Sequence, residues 1–412
     1  MRLLYQFGVN IYFVLIKLWA WVDPKARKWV DGQKNNWQQL ERHATESKQW
    51  LWFHAASLGE FEQGRPVIEA LKNKYPDFLI LLTFFSPSGF EIRKNYEHAD
   101  CVAYLPPDSA RNAIRLLNTF RPKAAFFIKN EFWYNYLQKL ALKQIPLFYI
   151  SVQFRPKQYF FKDYGRWFRR QLHAVTHFFV QDQTSLHLLN GNGFLNASLA
   201  GDTRFDRVLE LARQRDGFSE IETFLDGAPC MVMGSTWPQD EKLVIPLIHT
   251  MPENFKFIIA PHDVSPSHIK QITRQLRMKY SLWSHFMAEA DTRMLIIDSI
   301  GILGRLYRYA DFAYIGGGFG AGLHNIQEAV TYGCPVIIGP NHKKFNEAVD
   351  LIKLGGAFAV KEKQDIKAVL EKLVKDSDFR KNASQVCKAY VNEQSGATQM
   401  ILNKVEPFFE QV

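Results

Sequence analysis

Short apolar runs alternate with amphipathic segments along the chain from residue 50 onward. The runs are rich in β-branched and aromatic residues and lack a polar face, which is typical of buried parallel strands. The segments between them predict helices, for example at Gly64–Lys74 and Asn325–Tyr332. Such strand–helix repeats indicate doubly wound parallel sheets of the α/β class. The predicted strands are Trp50–Ala55, Phe78–Phe85, Ala124–Ile128, Pro146–Val152, His177–Gln181, Cys230–Gly234, Phe255–Ala260, Met294–Ile297, Phe312–Ile315, Pro335–Gly339 and Ala357–Val360.

The same pattern predicts two Rossmann-like domains, at residues 31–206 and 228–395. The first opens with a polar connecting stretch, and the charged segment 207–227, which has no strong strand pattern, is the expected linker. Residues 396–412 form a C-terminal tail that we expect to pack back on the N-terminal domain. Ligands of open α/β sheets bind at the carboxyl ends of the strands, so the expected site is a cleft between the two domains.

The pattern of apolar and polar residues in the segment 1–30 predicts a membrane-associated helix. The apolar stretch 3–22 contains three strongly polar side chains, Gln6, Asn10 and Lys17. They fall within roughly a 40° arc of a helix that is about 30 Å long. Two tryptophans near its end suit the headgroup level, and the basic residues after them favour placing the rest of the chain on the cytoplasmic side. No small-residue cleavage site follows, which argues against a signal peptide. The alternative is a helix buried against the domain.

Composition narrows the class of protein. Of the 412 residues, 47% are hydrophobic and 22% charged, which is ordinary for a globular protein and excludes a disordered or collagen-like chain. The net charge of +10 and the pI near 9.2 favour an anionic partner. The four cysteines are far apart and form no C-x-x-C pair, so a disulfide framework or zinc knuckle is not expected and a reducing compartment is.

Two carboxylates follow predicted strands of the first domain and are candidate catalytic groups. Glu60 comes after a glycine at the end of the first strand, and Glu131 closes the strand that ends at Ile128. A carboxylate that faces an apolar cleft can act as a general base. The alternatives are a helix-dipole partner for Glu60 and a surface ion pair for Glu131. Arg204 can reach a phosphate through its guanidinium group or form an ion pair with a neighbouring aspartate.

The second domain offers candidate anion-binding groups at its strand ends. Glycines let a backbone approach a ligand closely, and a helix N-terminus favours anions. A helix expected to begin near Asn325 would place Glu328 one turn inside, where a carboxylate can accept two ribose hydroxyls. A helix cap is the alternative for several of these groups. The candidates for nucleotide-sugar binding are Ser235, Thr236, His262, Gly316, Gly317, Gly318, His324, Asn325, Glu328, Asn341, Lys343 and Lys344.

The sequence also contains a match to a dinucleotide-binding fingerprint and a D-x-D pair. The glycine run nominally fits a dinucleotide fingerprint, but no acidic residue ends the next strand, which disfavours a nicotinamide-dependent oxidoreductase. Asp376 and Asp378 form a D-x-D pair that suits a helix cap better than a metal, and we expect no metal and no cofactor.

A basic and aromatic stretch at residues 153–173 is a candidate surface for an anionic partner. Such a stretch suits single-stranded nucleic acid, anionic lipid headgroups, or a solvated helix with an aromatic core face. The membrane-associated helix in the same chain favours lipid over nucleic acid. The residues expected to bind the acceptor or lipid are Arg166, Arg169 and Arg170.

The ordered motifs resemble those of the bacterial 3-deoxy-D-manno-octulosonic acid (Kdo) transferases, from the N-terminus to about Gly356. The motifs are WFHAASLGE, KNEFWYN, AGDTRFD, GSTWPQDE, GGGFGAGLHNIQEA and PVIIGPNHKKFNEA. The resemblance implies a GT-B-type fold with an acceptor-binding N-terminal domain and a C-terminal domain that binds the nucleotide sugar. It also implies metal-independent, inverting transfer from CMP-Kdo to a lipid A precursor at the cytoplasmic face of the inner membrane.

The resemblance assigns roles to individual residues. It implies that Glu60 is the general base and that Glu131 supports the transition state. It implies that the glycine run, Asn325 and Glu328 hold CMP, and that His262 belongs to the histidine turn of the family. The chain departs from the family pattern at Lys129, Tyr134, Arg204 and Pro261. Pro261 replaces an arginine of that pattern, so the phosphate contact of the arginine is either missing or supplied by Lys343 or Lys344.

Two other functions stay open on the residues alone. A transferase that uses a UDP-sugar on a lipid-linked acceptor shares the same fold and site logic. A non-catalytic, membrane-tethered binding protein would also explain the basic and aromatic surface, although it leaves the two strand-end carboxylates without a role.

Overall fold

The structure is a computed structural model that describes residues 1–44, 48–213, 217–286, 289, 291–320 and 322–410. The chain forms two compact units. Unit 1 comprises Met1–Asp206 and Gly396–Val412, and unit 2 comprises Arg207–Ser395. Each unit is built on one parallel sheet, as the α/β pattern predicts.

Unit 1 contains the first ten helices and seven strands in chain order, together with two C-terminal helices. The elements are α1 (Arg2–Trp19), α2 (Pro24–Lys34), α3 (Asn36–His43), β1 (Trp50–Ala55), α4 (Leu58–Lys74), β2 (Leu79–Phe84), α5 (Pro87–Arg93), β3 (Cys101–Tyr104), α6 (Ala110–Phe120), β4 (Ala124–Ile128), α7 (Tyr134–Leu142), β5 (Leu147–Val152), α8 (Arg166–Gln171), β6 (His177–Val180), α9 (Gln183–Asn190), β7 (Ala197–Leu199) and α10 (Arg204–Arg213), which runs into unit 2.

The sheet of unit 1 has the strand order β3-β2-β1-β4-β5-β6-β7, so the winding direction reverses between β1 and β4. Alternate residues of β1 enter two different cores, with Trp50 and Trp52 on one face and Leu51 and Phe53 on the other. A parallel sheet with both faces covered explains the continuous apolar strands. The reversal point is where open α/β sheets bind ligands.

Unit 2 repeats this architecture. Its elements are α11 (Ser219–Leu225), β8 (Cys230–Thr236), α12 (Pro238–Ile248), β9 (Lys256–Pro261), α13 (Pro266–Thr273), β10 (Tyr280–Leu282), β11 (Met294–Ile296), α14 (Leu303–Leu306), β12 (Phe312–Ile315), α15 (Gln327–Thr331), β13 (Val336–Ile338), α16 (Asn346–Leu354), β14 (Ala357–Ala359), α17 (Lys363–Lys375) and α18 (Ser377–Gln394). The strand order β10-β11-β9-β8-β12-β13-β14 reverses between β8 and β12.

The strands that the sequence pattern did not predict are β3, β7 and β10, and all three lie at a sheet edge. An edge strand is paired on one side, so it needs a shorter and less continuous apolar run than a central strand. Strand β7 is half-buried along its length, and Tyr280 of β10 is exposed. Every predicted strand corresponds to a strand of the structure, with ends that differ by at most two residues.

Two predicted connections are helical instead. The polar stretch after residue 31 carries the end of α2 and all of α3, whose side chains Leu40 and Asn36 are buried. Asn36 donates to the Tyr104 carbonyl and accepts from the Tyr104 N–H, so a buried amide ties α3 to β3. The segment 207–227 carries most of α10 and all of α11, and its residues 214–216 lie outside the described residues.

The C-terminal segment returns to unit 1. It forms α19 (Ala397–Val405) and α20 (Pro407–Glu410). Ile401, Leu402, Val405 and Phe409 join the same core as Leu51 and Phe53 of β1. The Asp206 carboxylate accepts the N–H groups of Gly396 and Thr398 at 2.5 and 2.6 Å, which fixes the start of this segment.

Helix α1 buries one narrow face against unit 1 and exposes the rest. Tyr5 donates to the Asp108 carboxylate at 2.7 Å, Gln6 accepts from Asn135, and Phe13 stacks on Trp29. Most apolar side chains of the helix are exposed, and these are Leu3, Leu4, Phe7, Ile11, Val14, Leu15, Leu18 and Trp19. Within the described residues, no single helix has the length and apolar character to cross a bilayer, whereas α1 and α2 meet that criterion as a pair bent by 114°.

Candidate active site

Glu60 lies in the first turn of α4, directly after the carboxyl end of β1. Its Oε2 accepts the backbone N–H of Ala56 at 2.6 Å. Burial first, and then the negative charge of Glu131, raise the pKa of Glu60 from its ordinary 4.5 to about 7, although the Ala56 N–H and Lys129 act in the opposite direction. A carboxyl group that titrates near neutrality is suited to accept a proton from a hydroxyl group.

Glu131 follows β4, which is the neighbour of β1 in the sheet. Its Oε2 accepts the indole N–H of Trp133 at 2.8 Å and lies 3.4 Å from Nε2 of the buried His54. Because the Glu131 charge raises the pKa of Glu60, the two carboxylates act on each other. The sheet therefore brings both strand-end carboxylates to its reversal point, and Glu131 has partners other than the expected surface ion pair.

The loop that carries Glu131 is held by three local features. Lys129 adopts a left-handed conformation with φ 61°, which turns the chain away from β4. Asn130 donates to the Gln153 carbonyl at 2.7 Å, and the Tyr149 hydroxyl donates to the Glu131 carbonyl at 2.6 Å. The Glu131 side chain thus starts from a fixed backbone.

Arg204 forms an ion pair with Asp202. Its Nε lies 2.9 Å from Asp202 Oδ2, and a second guanidinium nitrogen contacts the same carboxylate at 2.5 Å. This pair is the alternative that the sequence left open, and it neutralises the charge that was expected to meet a phosphate.

In unit 2 the glycine run 316–318 follows β12 and lies beside the end of β8. The Gly316 N–H donates to the Gly234 carbonyl, and the Gly317 N–H donates to the Asp240 carboxylate, both at 2.9 Å. Among the described residues the Gly318 N–H has no acceptor. The expectation that all three N–H groups face a phosphate is therefore corrected: two are committed to the protein, and Gly318 remains.

These glycines are required by the protein's own packing. A Cβ atom on Gly316 would lie 2.2 Å from the Ser235 carbonyl oxygen, and one on Gly318 would lie 2.6 Å from the backbone nitrogen of Gly339. Gly317 has φ 87°, a conformation that other residues rarely adopt. The sequence attributed this run to close approach of a ligand, whereas the structure shows close approach of neighbouring backbone.

The carboxyl end of β8 carries two hydroxyl side chains, one buried and one half-buried. The Thr236 hydroxyl is buried and donates to Glu241 at 3.0 Å, and the same carboxylate oxygen contacts His268 at 3.0 Å. Thr236 is therefore a structural residue and not a phosphate ligand. Ser235, which precedes it in β8, is half-buried and has φ 51°.

Three aromatic rings lie together beside the glycine run. The Trp237 indole N–H donates to His324 Nε2 at 2.8 Å, and His262 stacks on Trp237 with ring centroids 4.4 Å apart. Because His324 Nε2 accepts this bond, its other ring nitrogen carries the proton. Burial lowers the pKa of His324, and the nearby His262 lowers it further. The sequence did not single out Trp237 as a site residue. The pattern that could have indicated it is Asp240, three residues later, which accepts the Trp237 backbone N–H at the start of α12.

The side chains of Asn325 and Glu328 bond to each other at the start of α15. Asn325 accepts the Gln327 N–H at 3.0 Å and donates to Glu328 at 3.1 Å. The helix begins at Gln327, two residues later than expected, so Glu328 lies in its first turn and not one turn inside. Glu328 also lines a cavity of about 410 Å³ with Arg207, Val208, Leu211, Gly301, Gly304, Arg305 and Tyr332.

The turn after β13 contacts the glycine run. Asn341 donates its backbone N–H to the Gly318 carbonyl at 2.9 Å and its side-chain amide to the Gly320 carbonyl at 2.8 Å. Lys343 and Lys344 follow in the same turn with exposed side chains. Asn341 thus supports the loop, and the two lysines supply positive charge near it.

The three arginines of the basic stretch of unit 1 also differ in exposure. Arg166 and Arg170 are exposed on α8, whereas Arg169 donates to the Phe160 carbonyl and to Asn192 at 3.0 Å. Trp167 packs against Tyr5 of α1, with ring centroids 5.8 Å apart. Helix α8 therefore contacts the start of α1 through Trp167, whereas Arg166 and Arg170 are exposed and Arg169 bonds within unit 1.

Among the described residues, no three His, Cys, Asp or Glu side chains are grouped so that they could hold a metal ion. Asp376 instead caps α18 by accepting the Phe379 N–H at 2.8 Å.

Comparison with known proteins connects the site to a family. Residues 33–207 match the family model of 3-deoxy-D-manno-octulosonic-acid transferase (kdotransferase). The chain is 25% identical over 375 residues to 3-deoxy-D-manno-octulosonic acid transferase of Rickettsia felis, covering 86% of this chain and 79% of that protein. It is 23% identical over 383 residues to the protein of the same name from Haemophilus influenzae, covering 88% of each.

A solved structure shows the same fold. The UDP-GlcNAc 2-epimerase of Neisseria meningitidis bound to UDP-GlcNAc matches with a TM-score of 0.63 at 15% identity, over 87% of this chain and 100% of that one. The two parallel sheets and this likeness identify a fold of the GT-B type.

Proposed function

We propose that the chain is a glycosyltransferase of the Kdo transferase family that transfers Kdo from CMP-Kdo to a lipid A precursor in lipopolysaccharide biosynthesis. The observation that carries the proposal is the pair of strand-end carboxylates at the β1/β4 reversal point. Glu60 there titrates near pH 7, as a base for a sugar hydroxyl requires.

The reaction assigns Glu60 and Glu131 different tasks. An acceptor hydroxyl gives its proton to Glu60 while its oxygen forms a bond to the anomeric carbon of Kdo. The bond from that carbon to the phosphate oxygen breaks, its electron pair leaves with CMP, and the configuration inverts. Glu131 supports the transition state from the loop after β4, where its carboxylate accepts the Trp133 indole N–H.

The donor groups come from unit 2. We assign the Gly318 N–H and the Ser235 hydroxyl to the phosphate, because neither donates to a protein acceptor within the described residues. Lys343 and Lys344 add positive charge to the same turn region. Preorganised donors of this kind stabilise charge on a leaving group, and losing one typically costs about 3 kcal/mol of barrier. Glu328, beside its cavity, accepts the ribose hydroxyls.

The acceptor is a lipid, and unit 1 has a surface for one. Helix α1 exposes most of its apolar side chains, and Trp167, which lies between Arg166 and Arg170 in the chain, packs against Tyr5 of α1; such a combination suits an anionic leaflet. We propose that this surface holds the protein at the cytoplasmic face of the inner membrane. The protein can then reach a lipid A precursor that stays in the bilayer.

The test is a transfer assay with radiolabelled lipid A precursor and a CMP-Kdo-generating system. The wild-type protein should yield a slower-migrating product, and Glu60→Gln should yield none while still binding CMP-Kdo. Substantial turnover by Glu60→Gln would remove Glu60 as the base. A thermal shift with UDP but not CMP would overturn the CMP-Kdo donor in favour of a UDP-sugar.

A further inference from the structure

His54 is a buried histidine of β1 that the proposed mechanism does not use. Its side chain is fully buried between Thr83 of the neighbouring strand β2 and the Glu131 carboxylate. Nδ1 lies 3.1 Å from the Thr83 carbonyl oxygen and 3.0 Å from the Thr83 hydroxyl oxygen. Nε2 lies 3.4 Å from Glu131 Oε2. The ring therefore bridges a neutral residue and a catalytic carboxylate.

The surroundings of Nδ1 determine where one ring proton lies. The Thr83 hydroxyl accepts the Trp52 indole N–H at 2.9 Å and donates its own proton to the Phe53 carbonyl at 3.3 Å. The Thr83 carbonyl can only accept. Both Thr83 groups thus present lone pairs to Nδ1, so Nδ1 carries a proton.

The opposite nitrogen then needs a second proton. A neutral ring protonated on Nδ1 directs the lone pair of Nε2 at Glu131, whose carboxylate oxygen also offers only lone pairs. Two lone pairs repel, and the contact becomes attractive when one proton lies between Nε2 and Oε2. The indole N–H of Trp133 occupies another lone pair of the same oxygen.

We propose that His54 and Glu131 share one proton and form a pair of zero net charge beside Glu60, with Thr83 orienting the ring. This inference rests on the proposed function, because it makes His54 a positioning residue for the same site. The Glu131 charge raises the pKa of Glu60, so a proton shared with His54 weakens that effect and lets Glu60 lose its own proton at a lower pH than it would beside an uncompensated Glu131.

Other groups face this pair and were considered with it. Tyr12 of α1 and Tyr149 of β5 both sense the Glu131 charge, which raises their pKa values after burial. Both are neutral at physiological pH and supply no counter-charge. Lys129 at the end of β4 acts on Glu60 and lowers its pKa, but burial and Glu131 outweigh it. Among the described residues, His54 is thus the cationic group in contact with Glu131.

His54→Gln is the informative variant, because a glutamine amide can donate to Glu131 but cannot carry a positive charge. The acidic limb of the pH profile of kcat/KM should move up by about one pH unit, because an opposite charge is lost near Glu60. The matched control is His177→Gln, which alters another buried histidine of the same sheet and should leave the limb in place. An unmoved limb in a folded His54→Gln protein overturns the proposal.

Nuclear magnetic resonance of the wild-type protein tests the pair without any variant. With ¹⁵N-labelled histidine and ¹³C-labelled glutamate at pH 7, we expect either a doubly protonated His54 ring or a protonated Glu131 carboxyl group. A ring protonated on Nδ1 alone beside an ionised Glu131 overturns the proposal. Absence of Kdo transfer with the shared proton present would instead contradict the proposed function alone.

Discussion

Gly317 donates its backbone N–H to the Asp240 carboxylate at 2.9 Å, so an acidic side chain lies directly under the glycine run. The same carboxylate accepts the Trp237 N–H and the Tyr314 hydroxyl, both at 2.9 Å. Asp240 thereby ties the end of β12 to the start of α12. Its negative charge also explains why a donor phosphate is expected at Gly318 and not at Gly317.

Replacing Asp240 with alanine should leave these three donors, two of them buried, without an acceptor. We expect unit 2 to lose about 2–4 kcal/mol of unfolding free energy, measured by urea denaturation, because unsatisfied buried donors are costly. The control is Asp365→Ala, which removes an exposed carboxylate that likewise accepts two backbone N–H groups at a helix start. That variant should lose about 1 kcal/mol. Equal losses would contradict the role of Asp240.

The rate of transfer should follow the ionisation of Glu60. Since the basic form is the deprotonated one, kcat/KM should rise with pH through a midpoint near the pKa of about 7. Glu60→Gln should lower turnover by about 10²–10⁴-fold and leave CMP binding unchanged. The control is Glu62→Gln, two residues after Glu60, which removes an ion-pair partner of Arg93 and should retain wild-type turnover.

The raised pKa of Glu60 also has a consequence for stability. Folding holds this proton more tightly than the unfolded chain does, so the stabilisation is present in acid and is lost as pH rises through about 7. Glu60→Gln has no charge to bury and should be more stable than the wild type at pH 8, by up to about 3 kcal/mol. Calorimetry should show that difference disappear at pH 4; a constant difference would contradict the assignment.

Binding of the ribose by Glu328 should be visible in the nucleotide preference. The wild-type protein should bind CMP about tenfold or more tightly than 2′-deoxy-CMP, because a hydrogen bond to a charged group is lost. Glu328→Ala should bind the two nucleotides equally in titration calorimetry, whereas Glu371→Ala, on an exposed face of α17, should keep the preference. An undiminished preference in Glu328→Ala would place the ribose elsewhere.

Binding to membranes should depend on the two exposed arginines of α8. We expect the double variant Arg166→Glu/Arg170→Glu to bind anionic vesicles at least about tenfold more weakly in sedimentation, with the loss shrinking at high salt. Arg169 is left unchanged because it holds the Phe160 carbonyl. Arg274→Glu/Arg277→Glu makes the same charge change on unit 2 and should bind as the wild type does. Equal binding by all three proteins would refute the lipid-facing role of α8.

The central part of each sheet could be predicted from sequence because fully buried strands leave an unmistakable apolar run. The position of Glu60 and Glu131 followed from the same reasoning, since both come directly after such strands. Helix α3 was misjudged as a connection because most of its surface is polar, although Leu40 and Asn36 are buried. A short helix with a narrow buried face gives too few apolar positions to show a period.

Hydrogen-bond partners could not be predicted in the same way. Thr236, Arg204 and the Gly317 N–H all looked available to a phosphate, yet each is bound to a carboxylate of the protein. Two of these three carboxylates lie within five residues of their donor, at distances that a motif alone does not resolve into contact. Side-chain direction, which only the folded chain fixes, decides whether such a group faces a ligand or a neighbour.

The return of α19 and α20 to unit 1 has a consequence for synthesis. Phe409 and Val405 complete a core that begins with β1, so this core stays open while the ribosome makes all of unit 2. Unit 2, in contrast, is continuous and has every residue of its sheet before the last helices emerge. During synthesis, unit 2 can therefore complete its fold before unit 1 does. A fragment cut after Asp206 would expose the apolar surface that these two helices cover.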